Sequence, residues 1–371
     1  ITFLYSIFPI WISSTFIVSF GVTITLLNYF IDRSLWLDEA LLAINIVGRD
    51  YSALTQPLDH SQVSPILFMF LEKLLVDIFP DPDYALRALP TLFYFLSLLL
   101  IYKTTKILTN SRRIAVTAIC LLSVSPFFLS YATEVKPYMS DAFVTLFLLY
   151  ISLRVSDRIV DLSILCTVGI FTIYLSNTSV IVLCTMGLFL LYRAKVCNFR
   201  IFPFVIVIII WVISFVINYY LFMVSSLEDP YLKEYWGNAF LPFSHPDFWY
   251  FATYAVKTIA RTVFGYPLHH WIWKLFGLIY FGCFLSLIHN RDFSNIYILF
   301  FPLILHVSLS AAKLYPFADR LLFYQIPLFV IVISYGVVYW TKNIASKILA
   351  DFLTITPALF FIPGHLLSIP I

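Results

Sequence analysis

The stretch Asp32-Arg33-Ser34-Leu35-Trp36-Leu37-Asp38-Glu39-Ala40 directly follows the first long apolar run of the chain, at about residues 6–30. It places two adjacent carboxylates beside a tryptophan and an arginine, where the chain leaves the hydrocarbon. Acidic residues are costly within a membrane and usually mark either a site or an anchor at its surface. Asp38 and Glu39 are therefore either functional groups or first-turn acids that stabilise a helix N-terminus through its dipole.

The composition of the whole chain is that of a membrane protein. Of its 371 residues 61% are hydrophobic and 12% are charged, and the mean hydropathy is +0.93. A soluble domain would have roughly a quarter of its residues charged. The apolar runs are continuous rather than alternating, which predicts helices and excludes a barrel. We therefore expect an all-α polytopic membrane protein that forms one membrane domain over residues 1–371.

About 11 transmembrane helices are expected from the apolar runs. They lie near residues 6–30, 87–108, 114–131, 138–154, 162–176, 179–192, 201–224, 271–288, 293–312, 321–340 and 350–367. The segment 64–79 is shorter and carries Glu72, Lys73 and Asp77, so it is either a short span or a surface or re-entrant helix.

The positive-inside rule favours the surface or re-entrant helix for 64–79. The loops at 103–113, 154–161, 193–200, 289–292 and 341–351 then share one side, with 12 Lys or Arg against 4 Asp or Glu, a net +8. The other side has 11 basic and 16 acidic residues, a net −5. This predicts that the net-positive side is cytoplasmic. The other side then has four polar segments: 31–86, with surface helices that carry Asp38 and Glu39, the short connection 131–138, the long loop 225–270, and 313–320.

A second polar group lies in the short outer connection around residues 131–138. Glu134 and Lys136 are either site residues or a solvated connection that leads into Tyr138 at the start of the next span. Asp141 lies one turn inside that span, where an acid usually faces a cavity or a partner.

Two arginines, Arg87 and Arg320, each open an expected span. The guanidinium fork suits a phosphate or an anionic headgroup, and the alternative is an anchor that snorkels or pairs with an acid. The outer histidines show no metal-ligand spacing, so a divalent metal is not indicated. They are His60, His245, His269 and His270.

Five elements, in this order, resemble the GT-C superfamily of membrane glycosyltransferases, in the branch of protein O-mannosyltransferases and lipid A aminoarabinose transferases. The elements are Leu37-Asp38-Glu39-Ala40, the segment from Asp59-His60 to Pro65-Ile66-Leu67, Arg87-Ala88-Leu89-Pro90, the connection 131–141, and Tyr315-Pro316 through Arg320 to Pro327. One departure is that Gln62-Val63-Ser64 stands where some relatives place a basic residue before the proline.

The resemblance implies an inverting transfer of a sugar from a polyprenyl-phosphate donor to the hydroxyl or amine of an extracytoplasmic protein, lipid or glycan. Asp38 would be the general base, and Glu39 would orient a neighbour or the acceptor. Arg320, with Arg87 and Lys136 behind it, would place positive charge near the lipid phosphate.

The same resemblance gives the other polar residues roles in substrate binding. Glu134 and Asp141 would hold sugar hydroxyls or position a basic residue, and Tyr138, His60 and Tyr315 would line the substrate site. No Gly-rich phosphate loop indicates a nucleotide sugar, and nucleic acid is not an expected partner. Two alternatives remain, a lipid-linked sugar transporter, which would more often show internal repeats, and a non-catalytic membrane subunit of a glycosylation complex.

Overall fold

The computed structural model describes residues 8–31, 33–243, 248–265 and 271–344, with side chains of the first helix from Ser14 onward. Within these ranges the regular structure is helical throughout, which confirms the all-α prediction. The α-helices are α1 Phe8–Phe30, α2 Leu37–Gly48, α3 Ile66–Ile78, α4 Pro82–Thr109, α5 Arg112–Ser123, α6 Pro126–Ser130, α7 Tyr138–Arg154, α8 Ile159–Leu175, α9 Ser179–Val196, α10 Ile201–Asn218, α11 Val224–Leu227, α12 Pro230–Trp236, α13 Phe248–Phe264, α14 Ile272–His289, α15 Phe293–Ala311 and α16 Ile326–Thr341.

Six helical segments in the described ranges are long and apolar enough to cross a membrane, and a bent pair makes a seventh. They are Pro82–Thr109, Ser179–Val196, Ile201–Ser226, Ile272–His289, Phe293–Ala311 and Arg320–Thr341, and the pair is Arg112–Ser123 with Pro126–Thr133 at 58°. The expected total of about 11 is not confirmed. The helices α7 and α8 have 17 residues each, near the lower limit for a span. The expected span 350–367 lies outside the described residues.

The centre of the helix bundle and its lipid-facing edge differ clearly in burial. In the segment Arg320–Thr341, 83% of the most apolar 18-residue stretch is buried inside the protein. Its helix α16 packs against α5 and α14. In Ile201–Ser226 only 28% is buried although its hydropathy is 2.8, the highest of the six. Because lipid tails are as apolar as these Ile and Val side chains, this segment faces lipid.

The segment 31–86 folds over one end of the bundle and supports the polar cluster described below. It contains α2, two short 3-10 turns at Ala53–Thr55 and Asp59–Ser61, and α3. Helix α3 has 13 residues and packs against α2, α4 and α8. The following helix α4 begins at Pro82, where no backbone N–H is needed, and Asp81 caps it by accepting a hydrogen bond from the backbone N–H of Asp83 at 3.0 Å.

The segment 225–270, expected to be a long loop, contains the helices α12 and α13. Helix α13 packs against α14 and α6, and its buried residues Ala260 and Val263 lie on one face. The histidines His245, His269 and His270 lie outside the described residues.

Candidate active site at the membrane surface

Asp38 and Glu39 stand in the first turn of α2 and face different surroundings, because adjacent helical residues point about 100° apart. The Glu39 side chain is fully buried, whereas 27% of the Asp38 side chain is exposed. The two carboxylates therefore cannot serve the same substrate atom.

Glu39 holds the start of α2 to the rest of the protein. Its carboxylate accepts hydrogen bonds from Arg33 Nη1 at 3.0 Å and Nη2 at 3.2 Å, and from the backbone N–H groups of Val135 at 3.0 Å and Trp36 at 3.3 Å. The bond from Trp36 is half of a capping box. The bond from Val135 ties α2 to the connection 131–138, so Glu39 acts as a positioning residue here.

Asp38 lies between two cations that come from distant parts of the sequence. Lys136 Nζ is 3.0 Å from Asp38 Oδ1, and Arg320 Nη1 is 3.2 Å from Asp38 Oδ2. Lys136 also donates a hydrogen bond to Gln62 Oε1 at 2.8 Å. Burial lowers the pKa of Lys136 and Asp38 opposes that shift. We name Asp38, Lys136, Arg320 and Gln62 the carboxylate–cation cluster.

Arg320 is held in the cluster from two further directions. Its guanidinium carbon lies 5.2 Å from the ring centroid of Trp36, a cation–π contact. Its backbone N–H donates to the Asp319 carboxylate at 2.8 Å, which caps the 3-10 turn Arg320–Gln325. A planar donor fork with 30% of its side chain exposed is suited to binding a phosphate.

Glu134 is a buried carboxyl group behind the cluster. Burial, and then the charge of Glu39, raise its pKa to about 8. Its Oε2 atom has no hydrogen-bond partner among the described residues. A carboxyl that stays protonated at neutral pH adds no negative charge beside Arg33 and Arg320.

Arg87 is placed away from the cluster, although the sequence suggested the same role for it as for Arg320. It is fully buried, and its guanidinium donates to the backbone carbonyls of Ile31, at 3.2 Å, and Arg33. Arg87 thus fixes the link between α1 and α2, and none of its hydrogen bonds in the described structure reaches Asp38.

Three other expected site residues also have different partners in the described structure. The carboxylate of Asp141 accepts a hydrogen bond from the buried Ser176 hydroxyl. The Tyr315 ring packs edge-on against His306, with ring centroids 5.1 Å apart. His60 is exposed and has φ of 60°.

Tyr138, by contrast, lies next to the cluster. Its ring packs edge-on against Tyr131, with centroids 5.1 Å apart, and lies 6.3 Å from Phe323. Arg320 and Asp38 are among the charges that act on its hydroxyl.

Sequence reasoning did not assign roles to Gln62, Arg33 or Trp36, all of which contact site residues. Gln62 stood out only as a departure from the basic residue of some relatives. Arg33 and Trp36 are in the opening stretch, but their partners become clear only when residues 131–138 and 320 are brought together.

The residues around Asp38 do not fit a divalent metal. No group of three or more His, Cys, Asp or Glu side chains in the described part of the chain could hold a metal ion. Cations already lie against both oxygens of Asp38, and Glu39 points toward Arg33. A metal ion at Asp38 would therefore find no second carboxylate ligand among the described residues.

The fold and this cluster define a multi-pass membrane protein with a carboxylate between two cations at one end of its helix bundle. Residues 63–220 match the family described as dolichyl-phosphate-mannose-protein mannosyltransferase. This match confirms the resemblance inferred from the sequence. The matched residues include Lys136, whereas Asp38, Gln62 and Arg320 lie outside them.

Solved structures with the same fold extend the comparison to most of the chain. ArnT from Cupriavidus metallidurans bound to undecaprenyl phosphate gives a TM-score of 0.59 at 13% identity, over 88% of this chain and 60% of ArnT. The oligosaccharyltransferase AglB from Archaeoglobus fulgidus, in complex with an inhibitory peptide and a dolichol-phosphate, gives 0.53 at 14% identity, over 95% of this chain and 55% of AglB. The chain thus spans about 60% of the length of ArnT. No curated protein matches the sequence.

Proposed function

We propose that the protein is an inverting glycosyltransferase that moves a sugar from a polyprenyl-phosphate donor to the hydroxyl or amine of an acceptor. The observation that carries the proposal is the position of Asp38 between Lys136 and Arg320. A base beside two cations suits a reaction in which an acceptor loses a proton while a phosphate leaves. The family match and the lipid phosphates bound by ArnT and AglB support the choice of donor.

In this reaction the acceptor oxygen or nitrogen attacks the anomeric carbon as its proton passes to Asp38. The bond between the anomeric carbon and the phosphate oxygen breaks, and its electron pair leaves on the polyprenyl phosphate. Arg320 and Lys136 stabilise the charge on that leaving group. Attack opposite to the leaving oxygen inverts the anomeric centre. Glu39 positions Asp38 by holding the first turn of α2 to the connection 131–138 through Val135, and Arg87 has a structural role.

The proposed orientation puts the cluster on the extracytoplasmic side of a bacterial plasma membrane, with about 11 spans in total. The charge difference of +8 against −5 between the two sides supports it. Labelling of an Asn110→Cys variant in intact cells tests the orientation, since Asn110 ends α4 on the opposite side. Modification by a membrane-impermeant reagent would reverse the assignment.

Transfer activity is the decisive test of the function. Membranes with the parent chain receive a panel of polyprenyl-phosphate sugars and a cell extract as acceptor source, and released polyprenyl phosphate is measured. We expect release by the parent and loss of release by Asp38→Asn. Asp59→Asn is the matched control, because Asp59 lies on the same segment and its carboxylate pairs with Arg49 at 2.9 Å rather than with Lys136 or Arg320.

Each outcome of this experiment distinguishes between the candidate functions. Equal release by the parent and by Asp38→Asn would remove Asp38 as the base. No release by the parent with any donor would contradict the transferase and favour a transporter or a non-catalytic subunit.

A further inference from the structure

Glu134 is a buried acid that no step of the proposed reaction uses. It lies in the connection 131–138, and hydrogen bonds hold the two residues that follow it. The backbone N–H of Val135 donates to Glu39 Oε1 at 3.0 Å, and the backbone N–H of Lys136 donates to the Glu134 carbonyl oxygen at 2.7 Å. These two bonds fix the backbone from which the Glu134 side chain extends.

The carboxyl group of Glu134 faces side chains from several parts of the sequence. Its hydrogen-bonding, charged or titratable neighbours are Arg33, Trp36, Glu39, Tyr131, Lys136, Tyr138 and Arg320. Among the arginines, Arg33 already has the buried Glu39 as its counter-charge at 3.0 Å. Arg320 pairs with the partly exposed Asp38 at 3.2 Å and is itself 30% exposed, so it is open to a further anion.

Trp36 connects the Glu134 carboxyl group to Arg320. Its indole N–H is a hydrogen-bond donor to Glu134, and the Arg320 guanidinium carbon lies 5.2 Å from the centroid of its ring. Trp36 is 39% exposed, so packing alone leaves its ring room to turn. An acceptor at one edge of the indole fixes the direction in which the ring faces, and thereby the surface on which Arg320 lies.

A neutral acid can hold the indole without competing for Arg320. Burial, and then the charge of Glu39, raise the pKa of Glu134 to about 8. A protonated carboxyl group still accepts a hydrogen bond, but it offers the guanidinium no second counter-charge. An ionised Glu134 would instead attract Arg320 and repel an incoming phosphate.

We propose that Trp36 and Glu134 together position Arg320 for the phosphate of the donor: the neutral carboxyl group holds the Trp36 ring against the guanidinium and leaves the guanidinium charge available to the phosphate. The proposal rests on the proposed function, since it takes a polyprenyl phosphate as the anion. Neither residue exchanges a proton with the acceptor, so both are positioning residues. The proposal also gives a role to Trp36, to which the sequence alone assigned none.

The contact between Trp36 and Glu134 can be tested without any ligand. Purified full-length protein with 15N only in its tryptophans gives one NMR signal for each indole N–H, and loss of a signal in Trp36→Phe identifies that of Trp36. This signal should shift with a midpoint near pH 8 in the parent. It should not titrate in this range in Glu134→Gln. A Trp36 signal that ignores pH in the parent, or that shifts equally in both proteins, would overturn the contact.

Binding of farnesyl phosphate, a short polyprenyl phosphate, tests the effect on Arg320. Calorimetry in detergent at pH 7, with farnesol as the phosphate-free control, measures its Kd. Glu134→Leu should raise Kd about fivefold, the effect of one cation–π contact. Glu134→Gln retains an acceptor oxygen and should bind like the parent. Glu72→Leu should also bind like the parent, because Glu72 is an equally buried carboxyl group on α3 without a described partner.

A double variant establishes that Glu134 acts through Trp36. Trp36→Leu should raise Kd at least as much as Glu134→Leu does. Adding Glu134→Leu to Trp36→Leu should then raise Kd no further, because residues that act in one chain of contacts are not additive. Independent losses that multiply in the double variant would show that Glu134 does not act through Trp36.

The pH dependence of Kd distinguishes a positioning acid from a merely structural one. Affinity should fall as pH rises, because ionised Glu134 adds a negative charge beside Arg320. If only the neutral form leaves Arg320 available, the parent Kd should rise about fourfold relative to that of Glu134→Gln between pH 7 and 8.5. Titration of Lys136 and of the phosphate itself is common to both proteins and cancels in the ratio.

Several results would overturn the proposal. These are no binding of farnesyl phosphate by the parent, equal Kd values for the parent and Glu134→Leu, the same loss in Glu72→Leu, or a ratio of parent to Glu134→Gln Kd that does not change with pH. The last comparison decides even if Glu134→Leu fails to fold. The expected binding differences without transfer activity would keep the positioning roles and remove the proposed function. Transfer that depends on Asp38, without these differences, would do the reverse.

Discussion

The adjacent carboxylates Asp38 and Glu39 should respond in opposite ways to neutralisation. Glu39→Gln keeps the shape of the side chain but leaves Arg33 without a counter-charge in a buried position. Loss of one partner from a buried ion pair costs about 3–5 kcal/mol. Because 28% of the Arg33 side chain is exposed and can regain some hydration, we expect the lower end, about 3 kcal/mol.

The expected cost for Asp38→Asn is smaller but not negligible. Asp38 is 27% exposed and Arg320 is 30% exposed, so their ion pair contributes about 0–1 kcal/mol. Lys136 is only 7% exposed and loses its counter-charge, although the asparagine oxygen and Gln62 Oε1 still accept hydrogen bonds from its Nζ. We therefore expect a loss of about 2 kcal/mol, with transfer abolished in protein that is still folded.

Thermal unfolding of the purified variants, followed by circular dichroism in one detergent, measures the difference. Glu39→Gln should lower Tm more than Asp38→Asn does. Transfer per folded molecule should be lost in Asp38→Asn and largely kept in Glu39→Gln. Equal Tm values for the two variants would refute the positioning role of Glu39, and a larger loss in Asp38→Asn would reverse the assignment.

Three further substitutions test the support of the site and the packing of the bundle. Relative to the parent, Glu134→Gln should become more stable by about 1.4 kcal/mol for each pH unit between 4.5 and 8. The reason is that the unfolded parent releases the Glu134 proton in this range, whereas the folded parent retains it. Denaturation of both proteins at several pH values measures the difference in their free energies of unfolding. Gly169→Ala should cost about 1–3 kcal/mol, because its Cβ would lie 1.9 Å from Trp211 Nε1; Gly48→Ala, with nothing within 4 Å, is the control in thermal unfolding. Arg87→Lys should reduce the free energy of unfolding by about 2 kcal/mol, because a lysine cannot bridge two buried carbonyls. The loss is measured as a lower Tm.

The sequence predicted the helical class and the face on which the polar residues gather. Apolar length identifies the spans, and the distribution of Lys and Arg assigns residues 31–86, 131–138 and 313–320 to one side. In the structure these three segments supply Asp38, Lys136 and Arg320 to a single cluster. Hydropathy and charge predict the side of the membrane on which a segment lies, because both can be read from that segment alone.

Contacts between segments could not be predicted in this way. Arg87 and Arg320 look alike in the sequence, since each follows a polar segment and opens a helix. What separates them is the packing of α1 against α4, which brings backbone carbonyls to Arg87 and none of the carboxylates. Helix α13 was missed for a related reason, because its charged and aromatic residues resemble a surface loop until one face is buried against α14.

The ligand-free contacts of Asp38 indicate an order of events in the proposed reaction. Each carboxylate oxygen already faces a cation, so an acceptor hydroxyl or amine must compete with Arg320 or Lys136 for it. An incoming lipid phosphate competes for those cations, and Arg320 yields more readily than Lys136. The Arg320 side chain is 30% exposed, whereas Lys136 is 7% exposed and is also held by Gln62. Donor binding would therefore draw Arg320 onto the phosphate and free Asp38 Oδ2 as the proton acceptor. Asp38 would then accept the acceptor proton most readily when the leaving group is in place, which would favour acceptor binding after the donor.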